Sequence, residues 1–516
     1  MSDFEQLDCE IEDKRPSLLI RADAGSRLGT GHVMRMIALA QAWQDRGGIV
    51  YLASCSCPEK LQERLAQEGI HFNHWGELEE GSPGDSERAV EFGKKEGISW
   101  VVLDGYHFGE AYQAHLKESG FKVLAVDDYG HCDRWNADIV LNQNIRSQQD
   151  AFIGLHGDHT QWLEGPKYAL LRREFDGQDH RQDCRDASAP LKVLITFGGV
   201  DPTNATARIL EGIRSIENLN LEIKVLAGPA NPNLENLAQI IEIFPYDIDL
   251  IPSSDDMPNL YQWADRIISA GGSSCYEWLL FRKAGWITSV ADNQSEIVRE
   301  MLRRGYAAGL ETLDRISGDD IAESIGAWLL EERQQTDEVV VDGYGSRRVT
   351  ALMDELPFWI RKTHLGDANF LLELANEPSV RNAGEHPQII QRPEHIAWLT
   401  RHLESQQSEL FMIEIDGVGP VGQIRFHYRE LDAWEIGVSL MPSHRMNGLA
   451  KAALMMAMNL MTNQKRVQSW IAEIRNENIP SQKLFARLGF CLSEKGPEMQ
   501  KWEKRRNRSK INVTKF

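Results

Sequence analysis

The segment Arg21-Ala22-Asp23-Ala24-Gly25-Ser26-Arg27-Leu28-Gly29-Thr30-Gly31-His32 brings an imidazole to the end of a glycine-rich loop, just ahead of an amphipathic stretch, Val33–Asp45. Gly29 and Gly31 permit tight turns and a close backbone approach to a ligand. The positive end of a helix dipole disfavours imidazolium, so a neutral His32 there would serve as a base toward water. A histidine that only caps its helix fits the local residues equally well. Arg21 and Asp23 flank the loop, and Asp104, Tyr106 and Asn142 follow later apolar runs; all five are candidates to touch a substrate. Asp127-Asp128 and Asn144 share this placement, in which carboxylates and amides also cap turns and helices.

A second group of loops has the chemistry of an anion cradle. Phe197-Gly198-Gly199-Val200-Asp201-Pro202-Thr203-Asn204 offers backbone amides to a diphosphate, with Gly198, Gly199, Asp201 and Asn204 as the binding candidates. Ser269-Ala270-Gly271-Gly272-Ser273-Ser274 repeats the arrangement. Glu277 follows about one helical turn inside the next helix, where its carboxylate would reach back to ribose hydroxyls. Asp292-Asn293-Gln294 ends a further strand, adding Asn293 and Gln294. Each loop alone is a plain tight turn; three of them at strand ends point to a nucleotide.

A third group lies near the C-terminus. Glu435-Ile436-Gly437-Val438-Ser439-Leu440 runs into Pro442-Ser443-His444-Arg445-Met446-Asn447-Gly448-Leu449-Ala450, and a helix follows. Successive amides from Asn447 to Ala450 would face an anion over that helix N-terminus, with charge from Arg445. Asn478 and Ser481 open a later helix. Glu435 is a candidate base for an amine, although strand alternation could equally turn it to solvent.

These groups require particular elements to hold them. From Ser17 to about Asn144, apolar runs at Leu18–Arg21, Ile49–Ala53, Trp100–Asp104, Val123–Asp127 and Ile139–Asn142 alternate with helical patterns. The alternation predicts a parallel sheet covered by helices. Asp176–Pro190 reads as a linker. A second series has strands at Val193–Phe197, Glu222–Ala227, Asp249–Pro252, Arg266–Ser269 and Trp286–Val290. Ligands of such lobes bind at the carboxyl ends of the strands. After about Gln335 the pattern turns antiparallel, with Phe411–Ile415 and Val421–His427 flanking the hairpin pair Asp416-Gly417, then strands at Trp434–Leu440 and Val467–Ala472. The expected boundaries are 16–175, 188–340 and 356–502, with a basic tail over 503–516.

With 516 residues the chain exceeds one ordinary domain, and its charge of −21 excludes a general nucleic-acid binder. No run of about 18 apolar residues is present, so no membrane span is expected. The acidic first 15 residues lack the apolar stretch of a secretory signal. Seven scattered cysteines without a second close pair read as free thiols of a reducing cytoplasm, not as a zinc site.

The loops from Arg21 to His32, Gly198 to Asn204, Ser269 to Glu277 and Asp292 to Gln294, with Asp127-Asp128, Leu141–Asn144 and Tyr168–Arg172, together resemble the UDP-2,4-diacetamido-2,4,6-trideoxy-β-L-altropyranose hydrolases of pseudaminic acid biosynthesis. That family is similar to the MurG-type glycosyltransferases of the GT-B fold. The resemblance implies inverting hydrolysis of a UDP-activated amino sugar. His32 would activate water, Tyr106 would place the sugar, Glu277 would hold the ribose, and no metal would be needed. Gly105 departs from the family pattern, which expects a bulkier polar residue there.

Arg445-x-x-Gly448-x-Ala450 with Asn478 and Ser481 resembles the GNAT acetyltransferases. It implies acetyl-CoA as cosubstrate, bound through Leu440, Arg445, Asn447, Gly448, Leu449, Ala450, Asn478 and Ser481. Phe485 stands where many relatives carry a tyrosine acid, and Met446 where the loop often has glycine. The expected fold is thus α/β: a GT-B-like pair of Rossmann-type lobes followed by an α+β GNAT domain.

Overall fold

The computed structural model describes residues 16–25, 29–146, 160–176, 188–217, 219–228, 231–331, 340–354, 358–383, 388–446 and 448–505. The chain divides into two compact units, a front unit reaching to Thr350 and a rear unit from Ala351. Most of the expected linker, most of the basic tail, and Asn447 lie outside the described residues.

The front unit holds two parallel sheets. The first contains β1 (Ser17–Ala22), β2 (Ile49–Ser54), β3 (His71–His74), β4 (Ile98–Asp104), β5 (Lys122–Val126), β6 (Ile139–Asn142) and β7 (Gln161–Glu164). Their order is β3-β2-β1-β4-β5-β6-β7. The second contains β8 (Leu191–Thr196), β9 (Leu221–Leu226), β10 (Asp247–Ile251), β11 (Arg266–Ala270), β12 (Ala284–Ser289) and β13 (Ala308–Thr312), in the order β10-β9-β8-β11-β12-β13. Both are doubly wound: the order reverses between β1 and β4, and again between β8 and β11. A crevice opens at the carboxyl ends of the strands at such a reversal. Every residue of β1 is buried, as a strand covered by helices on both faces requires.

Three strands of the front unit were not legible. β3 is His-Phe-Asn-His and largely exposed, so it carries no apolar signal. β7 and β13 are similarly short and half-exposed edges. The helix Gly345–Met353 falls in the interval expected between domains. It returns to the first lobe: the Ser346 hydroxyl donates to the Leu171 carbonyl at 3.2 Å, and Arg348 donates to the Lys167 carbonyl at 2.8 Å. Gly345 packs so closely that a Cβ would lie 2.2 Å from the Ala169 oxygen.

The rear unit is a mixed seven-stranded sheet of β14 (Phe358–Lys362), β15 (Ser408–Ile415), β16 (Gly419–Tyr428), β17 (Ala433–Leu440), β18 (Ser469–Arg475), β19 (Cys491–Lys495) and β20 (Met499–Arg505), ordered β14-β15-β16-β17-β18-β20-β19. β20 corrects the sequence reading, which began the frayed tail within it; Lys501–Arg505 pair with β18. One face of the sheet packs Phe411, Ile424, Phe426, Ile436 and Trp470 against the helix Leu449–Gln464. β17 and β18 are parallel, and their ladder stops after Glu435↔Ile471 although both strands run on. The facing edges beyond that point, Ile436–Leu440 and Ala472–Arg475, are therefore not hydrogen-bonded to each other.

Candidate functional site

Four successive strand ends of the first lobe converge on one buried network. The helix Gly31–Asp45, which follows β1, carries His32 in its first turn and Arg35 one turn on. β4 ends in Asp104, β5 leads to Asp128, and β6 leads to Asn144. The His32 Nδ1 lies 2.7 Å from Asp104 Oδ1. Arg35 donates to both Asp104 oxygens at 2.7 and 2.6 Å and to both Asp128 oxygens at 2.8 and 3.0 Å. Burial alone would push the Asp104 carboxyl up, but Arg35 and His32 outweigh it and hold Asp104 below its ordinary value; Asp128 is held down in the same way. An ionised Asp104 accepts only, so Nδ1–H is the donor, and in the neutral ring Nε2 keeps the lone pair. This is the geometry of an oriented general base.

Arg35 gave no motif signal, yet it is the cation that lets two carboxylates share the pocket. Asn144 adds a bond to Asp128 Oδ1 at 3.1 Å. The Tyr106 hydroxyl donates to Asp128 Oδ2 at 2.8 Å, and burial followed by Asp128 raises its pKa. Its ring meets the His32 ring edge-on at 5.2 Å.

Tyr106 also joins the lobes, because its oxygen accepts from Asn293 Nδ2 at 2.9 Å. A second link runs from Tyr276, whose hydroxyl donates to Asn144 Oδ1 at 3.2 Å. The two glycine loops face each other there: a Cβ on Gly199 would sit 3.4 Å from the Thr30 hydroxyl. His32, 8% exposed, thus stands at the lobe junction and not in a remote core.

In the second lobe, Gly198 and Gly199 leave β8 with Gly198 at φ +82°, and Gly228 backs them. A Cβ on Gly228 would meet the Gly198 oxygen at 2.6 Å, so this unflagged glycine sets the loop's height. Gly271 is pressed on Val298, 2.2 Å from a hypothetical Cβ. Gly272, Ser273 and Ser274 lead into the helix Ser274–Leu280, beside the Gln294 amide. Gln294 itself accepts from the Val290 amide at 3.0 Å. Asn204 holds φ +52°, and its side-chain oxygen is buried without a hydrogen-bond partner among the described residues. The Glu277 carboxylate meets Arg172 at 3.1 Å and accepts from the Tyr261 hydroxyl at 2.9 Å. Burial raises its pKa, against the pull of Arg172.

Several residues expected at the substrate are held in internal bonds. Arg21 is fully buried and pairs with Asp85 at 2.7 Å and Asp23 at 3.1 Å. Asp23 accepts from Ser54 and the Cys55 amide at 2.9 and 2.6 Å. Asn142 accepts from the Asn144 amide at 3.0 Å, and Asp201 caps the next helix through the Ala205 and Thr206 amides at 2.8 and 3.0 Å. Asp104, 1% exposed, is bonded to His32 and Arg35. A loop tied down by buried bonds looks, in sequence, like a loop that binds. Gly29, at φ +72°, closes a short bridge with Gly25, and Gly31 begins the His32 helix. The five described cysteines are free thiols; Cys9 and Cys184 lie outside the described residues.

In the rear unit Gly448 takes φ +85° at the start of the helix Leu449–Gln464, followed by Ala450. Arg445 folds back, donating to the Leu440 carbonyl at 2.9 and 2.7 Å and pairing with Glu377 at 3.2 Å. The Asn478 side chain accepts from the Ser481 amide at 3.2 Å, capping its own helix. Phe485 is buried against Phe490. Glu435 is paired with Arg429. The unpaired β17–β18 edges and the glycine-led helix start fit an extended acyl carrier ending in phosphates.

Fold and site define a front unit of two doubly wound α/β lobes with a buried His32–Asp104 contact where they meet, and a rear mixed-sheet domain that matches a GNAT acetyltransferase model. The model of the Acetyltransferase (GNAT) domain matches residues 358–491. An uncharacterised protein of Methanocaldococcus jannaschii is 22% identical over 93% of this chain and 98% of its own length. The UDP-2,4-diacetamido-2,4,6-trideoxy-β-L-altropyranose hydrolase of Campylobacter jejuni is 24% identical over 56% of this chain and 97% of its own length. Among solved structures, MurG of Acinetobacter baumannii is 16% identical, covering 66% of this chain and 99% of MurG with a TM-score of 0.49. Among the described residues no helix is long and apolar enough to cross a membrane.

Proposed function

We propose that the protein performs two consecutive steps on one nucleotide sugar. The rear domain transfers acetyl from acetyl-CoA to the 4-amino group of UDP-4-amino-4,6-dideoxy-N-acetyl-β-L-altrosamine. The front unit then hydrolyses UDP-2,4-diacetamido-2,4,6-trideoxy-β-L-altropyranose to UDP and free sugar. In the first step the amine forms an amide bond as the thioester C–S bond breaks, and coenzyme A leaves as the thiol. In the second, water attacks the anomeric carbon, His32 Nε2 takes its proton, and the C–O bond to UDP breaks with inversion. UDP is already a good leaving group, so an oriented base and a phosphate cradle suffice.

The observation that carries this reading is the His32–Asp104 contact of 2.7 Å beside Tyr106, whose hydroxyl meets Asn293 of the opposite lobe. An oriented base at the junction of the lobes supports attack by water on a sugar whose UDP the second lobe would hold. The relative's printed activity supports this choice of sugar, and the GNAT match supports acetyl-CoA as donor. Joining the two steps in one chain raises the local concentration of the intermediate.

The test incubates purified protein with the UDP-4-amino sugar, with and without acetyl-CoA, and follows products by mass spectrometry. The expected products are coenzyme A, UDP and the free diacetamido sugar. Recovery of the unmodified sugar nucleotide after incubation with acetyl-CoA defeats the proposal.

A further inference from the structure

The sheet of the rear unit carries polar groups on the face opposite its main core. Ile424, Phe426 and Ile436 point to that core, so Gln423, Arg425 and His427 of β16 point the other way. Across the ladder they stand opposite Ser439, Gly437 and Glu435 of β17. Leu410 and Met412 of β15 share this face and pack with Leu371 and Leu399 of the covering helices.

Two of these side chains have no partner among the described residues. Gln423 is 6% exposed, yet its amide makes no hydrogen bond. The Arg425 guanidinium lies flat over Gly437, where a Cβ would sit 3.3 Å from Nη2 and 3.4 Å from Nε. It has neither hydrogen bond nor ion pair. Burial pushes its pKa down, and Arg381 nearby works in the same direction. Glu435, the carboxylate that opposes this shift, is held by Arg429. A half-buried cation with no ion pair among the described residues is costly, and an incoming anion would relieve that cost. Gly437 is also two residues past the point where the β17–β18 ladder stops, so the unpartnered guanidinium borders the slot assigned to the acetyl donor.

We propose that Arg425, with Gln423 beside it, is the anion subsite for the acetyl acceptor, gripping a phosphate oxygen of the nucleotide sugar while its amine lies toward the slot. The inference rests on the nucleotide-sugar acceptor of the preceding section. Guanidinium is suited to phosphate, and Gly437 leaves the planar group room to lie against the strand. The acceptor is thereby chosen by its charged handle as well as by its amine.

Initial rates of thiol release from the full chain test this, with two acceptors: the UDP-4-amino sugar and the methyl glycoside of the same amino sugar. Arg425→Gln is expected to raise KM for the UDP sugar by roughly 10- to 100-fold. It should leave KM for acetyl-CoA and kcat/KM for the methyl glycoside unchanged, with Arg425→Lys intermediate. Because no described residue pairs with Arg425, the melting temperature of Arg425→Gln should not fall. A variant that keeps the wild-type KM for the UDP sugar overturns the subsite alone. So does one that loses both acceptors equally with a lowered melting temperature. Wild-type protein that acetylates the UDP sugar no better than the glycoside overturns the nucleotide-sugar acceptor itself, and the subsite with it.

Discussion

The Tyr106 hydroxyl and the Asn293 carboxamide, from opposite lobes of the front unit, meet at 2.9 Å, while the same hydroxyl donates to Asp128 at 2.8 Å. One phenol thus ties the buried carboxylate network of the first lobe to the loop after β12 in the second. Tyr106→Phe keeps the ring against His32 but cuts both bonds. We expect kcat/KM for UDP release to fall by about 10- to 100-fold, with acetyl transfer unchanged. Steady-state assays of the two steps in the same preparation check this, and equal loss of both activities would contradict it.

Asp104→Asn probes the base without moving it. The amide retains the shape of the carboxylate but can donate to His32 Nδ1, favouring the tautomer with its lone pair on the wrong nitrogen. Hydrolysis should drop roughly a thousand-fold while UDP still binds. Calorimetric titration with UDP, set beside the turnover number, separates lost chemistry from lost binding.

Arg21→Met distinguishes support from contact. Arg21 and its partners Asp23 and Asp85 have fully buried side chains. Removing the cation leaves two buried carboxylates with hydrogen bonds but without the Arg21 charge between them, which destabilises by about 3–5 kcal/mol. Denaturant unfolding should show that loss, and KM of the protein that remains folded should stay near wild type. A large KM change without lost stability would restore Arg21 to the substrate site.

His131 makes stability depend on alkaline pH. Burial lowers its pKa, but Asp127, bonded at 3.1 Å, and Cys132 together more than compensate, and the imidazole is raised to about 9. A group whose folded pKa lies above its unfolded value of about 6.5 stabilises fully below that value. The contribution is lost as pH rises through about 9. Melting temperature should therefore decline between those limits in wild type and decline less in His131→Gln. Parallel melting curves over that range would refute the pairing.

Gly228→Ala addresses the phosphate cradle from behind. The position holds φ +82°, and the new Cβ would collide with the backbone of Gly198 and Gly199. Stability should fall by more than about 1 kcal/mol, and product inhibition by UDP should weaken as the loop shifts. Unchanged inhibition would separate that loop from UDP.

By itself the sequence determined the alternation that becomes two doubly wound sheets, the glycine loops at their strand ends, and the glycine-led helix start of the rear domain. These are local: the period of apolar residues and the conformational freedom of glycine are properties of short stretches of chain. Only tertiary structure decided which polar groups remain available. Arg35 binds two carboxylates 69 and 93 residues further along the chain, whereas Arg21, on the strand that leads into the glycine loop, is walled in by Asp85 from a distant helix. Likewise Arg425 is conspicuous only because folding gives it no ion pair among the described residues. A charge pairs with whatever the fold puts within about 4 Å, and spacing along the chain does not record that neighbour.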